Sequence, residues 1–170
     1  MKNKYELLKD DTIEIGIHTL YRIKALVDFN NVKKGDLGGY IEKETNLSHT
    51  GNCWVYDDAK VFGESEVHDN ASVKGSAIIK CCSSIYDDTV IGGNATIDNS
   101  IISHMAHIYG NTTIECSKIG GTAEIYGNAV IRHDVDIRGN VRVYGNAILI
   151  GRMYLNNTTI INGTSKIILE

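Results

Sequence analysis

Proline is absent from this 170-residue chain, and leucine is scarce, with nine residues against 24 isoleucines. Average usage would place roughly eight prolines in a chain of this size. A chain that avoids proline keeps every backbone donor available for ladders. The shortage of leucine argues against a helical bundle, because β-branched isoleucine suits a pleated, packed strand. A long apolar run is also missing. No stretch approaches the roughly 20 apolar residues of a membrane span, and no basic segment with an apolar core opens the sequence. A cytoplasmic protein without membrane contact is therefore expected. Hydrophobic content of 42% excludes global disorder. Turn chemistry is plentiful: 17 glycines, 15 asparagines and 12 aspartates, the residues that tolerate tight corners.

Basic charge is in short supply too. A formal net charge of −4 and a pI near 5.8 argue against a DNA or RNA polymer as partner. Arginine occurs five times, yet Arg132, Arg138, Arg142 and Arg152 fall within 21 residues. A solvated face is the plain reading of that group. Guanidinium forks also suit carboxylate and phosphate, which keeps the group as a candidate anion site. The cysteines, Cys53, Cys81, Cys82 and Cys116, show neither CxxC spacing nor a paired framework. Free thiols in a reducing compartment are expected, with Cys53 in a packing role.

A six-residue period decides the fold class. An aliphatic residue recurs at Val55, Val61, Val67, Val73, Ile79, Ile85, Ile91 and Ile97. It resumes after one five-residue step at Ile102, Ile108 and Ile114, and after a second at Ile119, continuing to Ile167. Seventeen of nineteen intervals equal six, which neither a period-two strand nor a 3.6-residue helix produces. Two residues before each stands a mostly small side chain, such as Ala59, Ser65, Ala71, Ser100 and Ala123. Each hexapeptide then supplies one short flat strand and a corner, and three close a coil. The expectation is an all-β parallel β-helix of about seven triangular coils over residues 53–170. The two five-residue steps shorten one corner each.

Residues 1–52 break the period and are expected to form an N-terminal β-rich cap, because an open ladder edge recruits other chains. Strands are expected at 12–17 and 20–27, with a turn near His18-Thr19, followed by a Gly-rich link at 35–39.

The period resembles that of hexapeptide-repeat proteins, which implies a left-handed winding and a homotrimer. A narrower resemblance covers about residues 20–63. The segments Arg22-Ile23-Lys24-Ala25-Leu26, Gly35-Asp36-Leu37-Gly38-Gly39-Tyr40-Ile41 and Gly51-Asn52-Cys53-Trp54-Val55-Tyr56-Asp57 resemble the YdcK-type hexapeptide proteins of bacteria and their phages. That family carries an acyltransferase label given by fold analogy, and fold alone does not imply function. The Lys-, Asn- and Ile-rich composition fits a phage or prophage gene.

Residues flanking the inward positions face outward and sort into three columns. The first holds Trp54, Tyr56, His107, Tyr109, Tyr126, Arg142 and Tyr144, predicting a tyrosine ladder. The second holds Ile78, Thr96, Thr113, Val130, Ile148 and Ile150, with Arg132 among them. Its apolar members Val130, Ile148 and Ile150 are expected to form a homo-oligomer interface. The third holds His68, Tyr86, Ser103, Lys118, Asp136, Arg138 and Tyr154. Tyr109, Tyr126, Arg132, Arg138, Arg142 and Tyr144 together form the candidate ligand site, since rings hold bases and arginine forks hold phosphates.

No catalytic residue, metal site or cofactor is assigned. His104 and His107 form an HxxH without a third ligand at useful spacing. Three functions remain open. The leading one is noncatalytic: a trimer that sequesters an anionic, nucleotide-type small molecule in its intersubunit grooves, with a phage-encoded sponge for a host defence signal as a natural use. The resemblance implies the second, an acyl-CoA-dependent acyltransferase, for which His107 or His133 would be the base. The third is a structural, self-assembling scaffold.

Overall fold

The computed structural model describes residues 3–169. Strands make up its regular structure, with a single 3-10 turn at Glu44–Asn46 and no α-helix among the described residues. None of its helices is long and apolar enough to cross a membrane.

The chain opens with an antiparallel hairpin, β1 (Tyr5–Ile15) and β2 (His18–Ala25), in which Ile15 faces His18. The turn is therefore Gly16-Ile17, two residues earlier than expected, and His18 and Thr19 belong to the ladder. Gly16 takes φ of 61° at the first central position, the place where a two-residue type II′ turn requires glycine. The expected Gly-rich link is a strand, β3 (Leu37–Ile41). It pairs antiparallel with β2 and parallel with the first coil strand of that face, Lys60–Val61. Close packing, and no need for a flexible link, explains its glycines. A Cβ at Gly39 would stand 2.4 Å from the Ala59 carbonyl oxygen, and one at Gly38 would stand 2.5 Å from that of Val55.

Beyond β3 the chain winds through stacked parallel coils whose sides form three sheets. Face one has ten strands, counting β1, β2 and β3, face two has seven and face three has six. Two- to four-residue strands recur, and neighbours in a sheet lie 17 or 18 residues apart in sequence. Val90 pairs with Ser72 below and His107 above, so the five-residue steps appear as coils one residue shorter. The hexapeptide ladder is the interior: Ile79, Ile91, Ile108, Ile125 and Ile137 are fully buried. Small side chains turn the corners inside. Ser65, Ser83 and Ser100 each accept a bond at Oγ from the backbone N–H of the corner serine one coil on. Ser83, Ser100 and Ser117 in turn donate to a carbonyl two or three residues earlier. The Ser83 and Ser100 hydroxyls serve both roles and are thereby paired inside the coil.

The hairpin covers the first coil in two ways. Tyr5 lies over the opening with its ring edge-on to Trp54 at 6.1 Å, and Phe29 meets Trp54 at 5.4 Å. Trp54, expected to face outward, is thus buried, because the cap closes over a position that faces solvent on every later coil. The far half of the hairpin folds onto the outside of face one, where Leu20, Ile13 and Ile15 pack with Tyr40, Phe62 and Ile78. Ile78, counted with the outward apolar column, is covered by this chain's own cap.

Candidate functional site

The outward columns stack as the six-residue period requires, and they place the six candidate residues on three different faces. Tyr109, Tyr126, Arg142 and Tyr144 share face two. The tyrosine rings stack with centroids 5.3 and 4.8 Å apart and planes within 10° and 2°. Asn162 continues the column by donating to the Tyr144 hydroxyl at 2.9 Å. Burial raises the Tyr109 pKa above its ordinary value, helped by the charges of Glu124 and Tyr126. Arg132 stands on face one and Arg138 on face three. The four arginines are close in sequence, but the coil distributes them around the prism.

Each of those arginines already has a carboxylate. Arg132 Nε lies 3.2 Å from Glu115, Arg142 Nε 3.0 Å from Glu124 and Arg152 Nε 3.0 Å from Asp134, in every case an acid one coil below. Arg138 donates from Nε and Nη2 to the two oxygens of Asp136, both at 2.9 Å, and this pairing holds its guanidinium pKa above the ordinary value. Exposed pairs of this kind add little stability. Their effect is on charge: the apparent basic cluster is neutral as it stands.

Face three carries a shallow groove of about 550 Å³. Its floor is Gly120-Gly121, and Tyr86, Ser103, His104, Lys118 and Arg138 stand around it. Ser103, Gly120 and Arg138 line up because Ile102, Ile119 and Ile137 pair on successive coils. The glycine opens the groove, for a Cβ at Gly120 would sit 3.2 Å from Ser103 Oγ and 3.3 Å from His104 Nδ1. His104 occupies the corner with φ of 62°, and its backbone N–H donates to Asp87 Oδ2 at 2.9 Å. Its Nδ1 lies 2.9 Å from Ser103 Oγ and 3.9 Å from Asp87 Oδ2. With the proton on Nδ1, facing this hydroxyl and carboxylate, the Nε2 lone pair is free to accept a proton. Lys118 makes no ion pair among the described residues, so the groove holds an uncommitted cation.

The two histidines singled out as bases lack such support. His107 lies on the flat of face two, and His133 sits at an exposed corner with φ of 63°. Neither has a hydrogen-bonded orienting partner among the described residues. In sequence His104 stands out only as part of an HxxH, because Asp87 and Gly121, which complete its surroundings beside adjacent Ser103, each lie 17 residues away. The one local signal was the Gly120-Gly121 pair, which leaves an outward position bare one coil beyond Ser103-His104. Among the described residues no group of three His, Cys, Asp or Glu side chains is placed to hold a metal ion.

No family model matches the chain. Among curated proteins it is similar to the uncharacterized acetyltransferase YdcK of Escherichia coli (strain K12), at 38% identity over 85 residues. That match takes in 49% of this chain and 24% of YdcK, so the chain spans a minor part of that relative's length. Stacked parallel coils and the hexapeptide ladder that fills them make the structure a parallel β-helix, and the likeness to YdcK over about half of the chain fits that fold.

Proposed function

We propose that this β-helix carries out acyl transfer of the acetyltransferase kind, with the face-three groove as the reaction site and His104 as general base. The observation that carries the reading is the Ser103–His104 contact at 2.9 Å, which orients the ring beside a groove that also holds unpaired Lys118. The acetyltransferase named among its relatives points to the same class. An acyl thioester such as acetyl-coenzyme A is the donor. His104 Nε2 takes the proton from an acceptor hydroxyl or amine as that atom attacks the thioester carbonyl. The carbon–sulfur bond then breaks, and the departing thiolate receives the proton from His104. Lys118 attracts the phosphates of the donor. Assembly into a homotrimer through Val130, Ile148 and Ile150 on face one belongs to the same proposal.

A second reading, noncatalytic sequestration of an anionic nucleotide-type ligand between subunits, draws on the flatness of the coils. No long loop leaves them among the described residues to enclose a reaction centre. It also requires Arg132, Arg138 and Arg142 to exchange their present carboxylates for phosphate.

Chromatographic assay of coenzyme A released from acetyl-coenzyme A, with hydroxyl and amine acceptors, separates the two. Acyl transfer predicts turnover that falls about 100-fold or more in His104→Gln, while calorimetry still detects donor binding. Lys118→Met should weaken that binding. Tight binding of nucleotides without turnover, unchanged in His104→Gln, would overturn the catalytic reading in favour of sequestration.

A further inference from the structure

The column on face two has a missing rung. Passing from coil to coil, the outward position after each inward residue is Tyr56, Lys74, Gly92, Tyr109, Tyr126 and Tyr144. Three tyrosines stack at one end. At the other, Lys74 folds back so that its Nζ lies 5.1 Å from the centre of the Tyr56 ring. Gly92, between them, contributes no side chain. Tyr109 consequently has a ring partner on one side only and is 40% exposed.

Neither backbone nor packing explains that glycine. Its φ lies outside the left-handed region, and a Cβ there would meet nothing nearer than Lys74 Cβ at 4.0 Å. The other glycines with ordinary φ are Gly38, Gly39 and Gly120, and a Cβ on each would come within 3.2 Å of a neighbour. Position 92 is thus the one glycine of this group whose missing side chain relieves no contact.

We infer that the space above Gly92 is a binding slot for one planar aromatic ring of a small anionic ligand, stacked on Tyr109. The fit follows from the coil spacing. Rings already stack on this face at 4.8 and 5.3 Å, close to the roughly 4.8 Å between parallel strands. A ring lying in the plane of Gly92 meets Tyr109 at the same distance, within the range in which aromatic pairs attract. The alkyl chain of Lys74 closes the opposite side. The Lys74 ammonium on the coil below favours a negative substituent, and exposed His107, paired with Val90 on the coil above, offers it a ring N–H. A nucleoside monophosphate and an aromatic carboxylate share this chemistry. The slot lies on a different face from His104, so it stands or falls independently of acyl transfer.

Titration calorimetry with AMP, 4-hydroxybenzoate and, as an anion without a ring, ribose 5-phosphate tests the slot. At least one ring-bearing probe should bind, and ribose 5-phosphate should not. Binding of AMP alone identifies a nucleotide as the source, and binding of both identifies aromatic anions in general. Gly92→Tyr supplies the missing rung and should weaken binding about tenfold or more without lowering the melting temperature. Tyr109→Leu removes the stacking wall and should produce a similar loss, which decides the matter if Gly92→Tyr does not fold. The inference is overturned if no ring-bearing probe binds at millimolar concentration. It is equally overturned if ribose 5-phosphate binds as well as they do, or if a folded Gly92→Tyr or Tyr109→Leu protein binds like the parent.

Discussion

Lys4 and Tyr5 are adjacent residues that titrate under opposite constraints, although both lie on the inner side of the cap. The Lys4 ammonium donates to the Cys53 carbonyl at 2.9 Å and to Cys53 Sγ at 3.3 Å. Burial nevertheless pushes its pKa below the ordinary 10.5, against partial support from Cys53. The Tyr5 hydroxyl lies 2.7 Å from the Leu47 carbonyl oxygen and 3.0 Å from that of Glu44, and burial raises its pKa well above the ordinary 10.0. Linkage assigns the signs. Below pH 10.5 the unfolded chain holds the Lys4 proton more tightly than the folded one, so this group makes stability rise with pH up to that point. Above pH 10 the unfolded chain loses the Tyr5 proton first, so this group makes stability fall. Melting temperatures measured from pH 8 to 11 should therefore show a flatter alkaline decline in Tyr5→Phe than in the parent protein. A Lys4→Met variant should lose part of the rise that precedes the decline.

At the scale of elements, the join between hairpin and coils depends on the close approach of β3 to the first coil. Gly39→Ala places a Cβ against the backbone oxygen of Ala59 and the side chain of Val55, neither of which is a flexible chain end. Urea unfolding should show a loss of at least about 2 kcal/mol. The same approach explains which elements could be read from the sequence. The coils are legible because each inward isoleucine or valine repeats a local rule, and one rule used twenty times survives individual exceptions such as Leu149 and Leu155. The hairpin was legible only as two apolar stretches. Its turn reads two residues late because the alternation runs through Ile15 and Ile17 without marking Gly16 as a break. Trp54 reads as a surface residue because nothing near it in sequence announces that Tyr5 and Phe29 fold over it.

For the whole molecule, proximity along the chain is a poor guide to proximity in space. Arg132, Arg138 and Arg142 are six and four residues apart, and one coil sends them to three faces. Ser103 and Gly120 are 17 apart and line one groove. The candidate site was for this reason less legible than the fold: it is read across coils, and the register across coils depends on where the short steps fall. Beyond the cap, the outward apolar residues Val130, Ile148 and Ile150 of face one are half-buried and uncovered, whereas the hairpin covers Phe62 and Ile78. If Val130, Ile148 and Ile150 form the homo-oligomer contact, Ile148→Lys should shift the mass measured by light scattering towards the monomer, with little change in circular dichroism.

The two short steps also imply a rule for insertions and deletions. A coil that loses one residue at a corner, as before Ile102 and Ile119, keeps every later side on its own face, and the ladders continue. An insertion of six residues adds one whole side and rotates everything after it by a third of a turn. Residues of face three would then move to a neighbouring face, while the interior would remain well packed. Homologues of different length should therefore differ by whole coils or by single corner residues. Changes of one or two hexapeptides should be tolerated by the fold and selected against by the site.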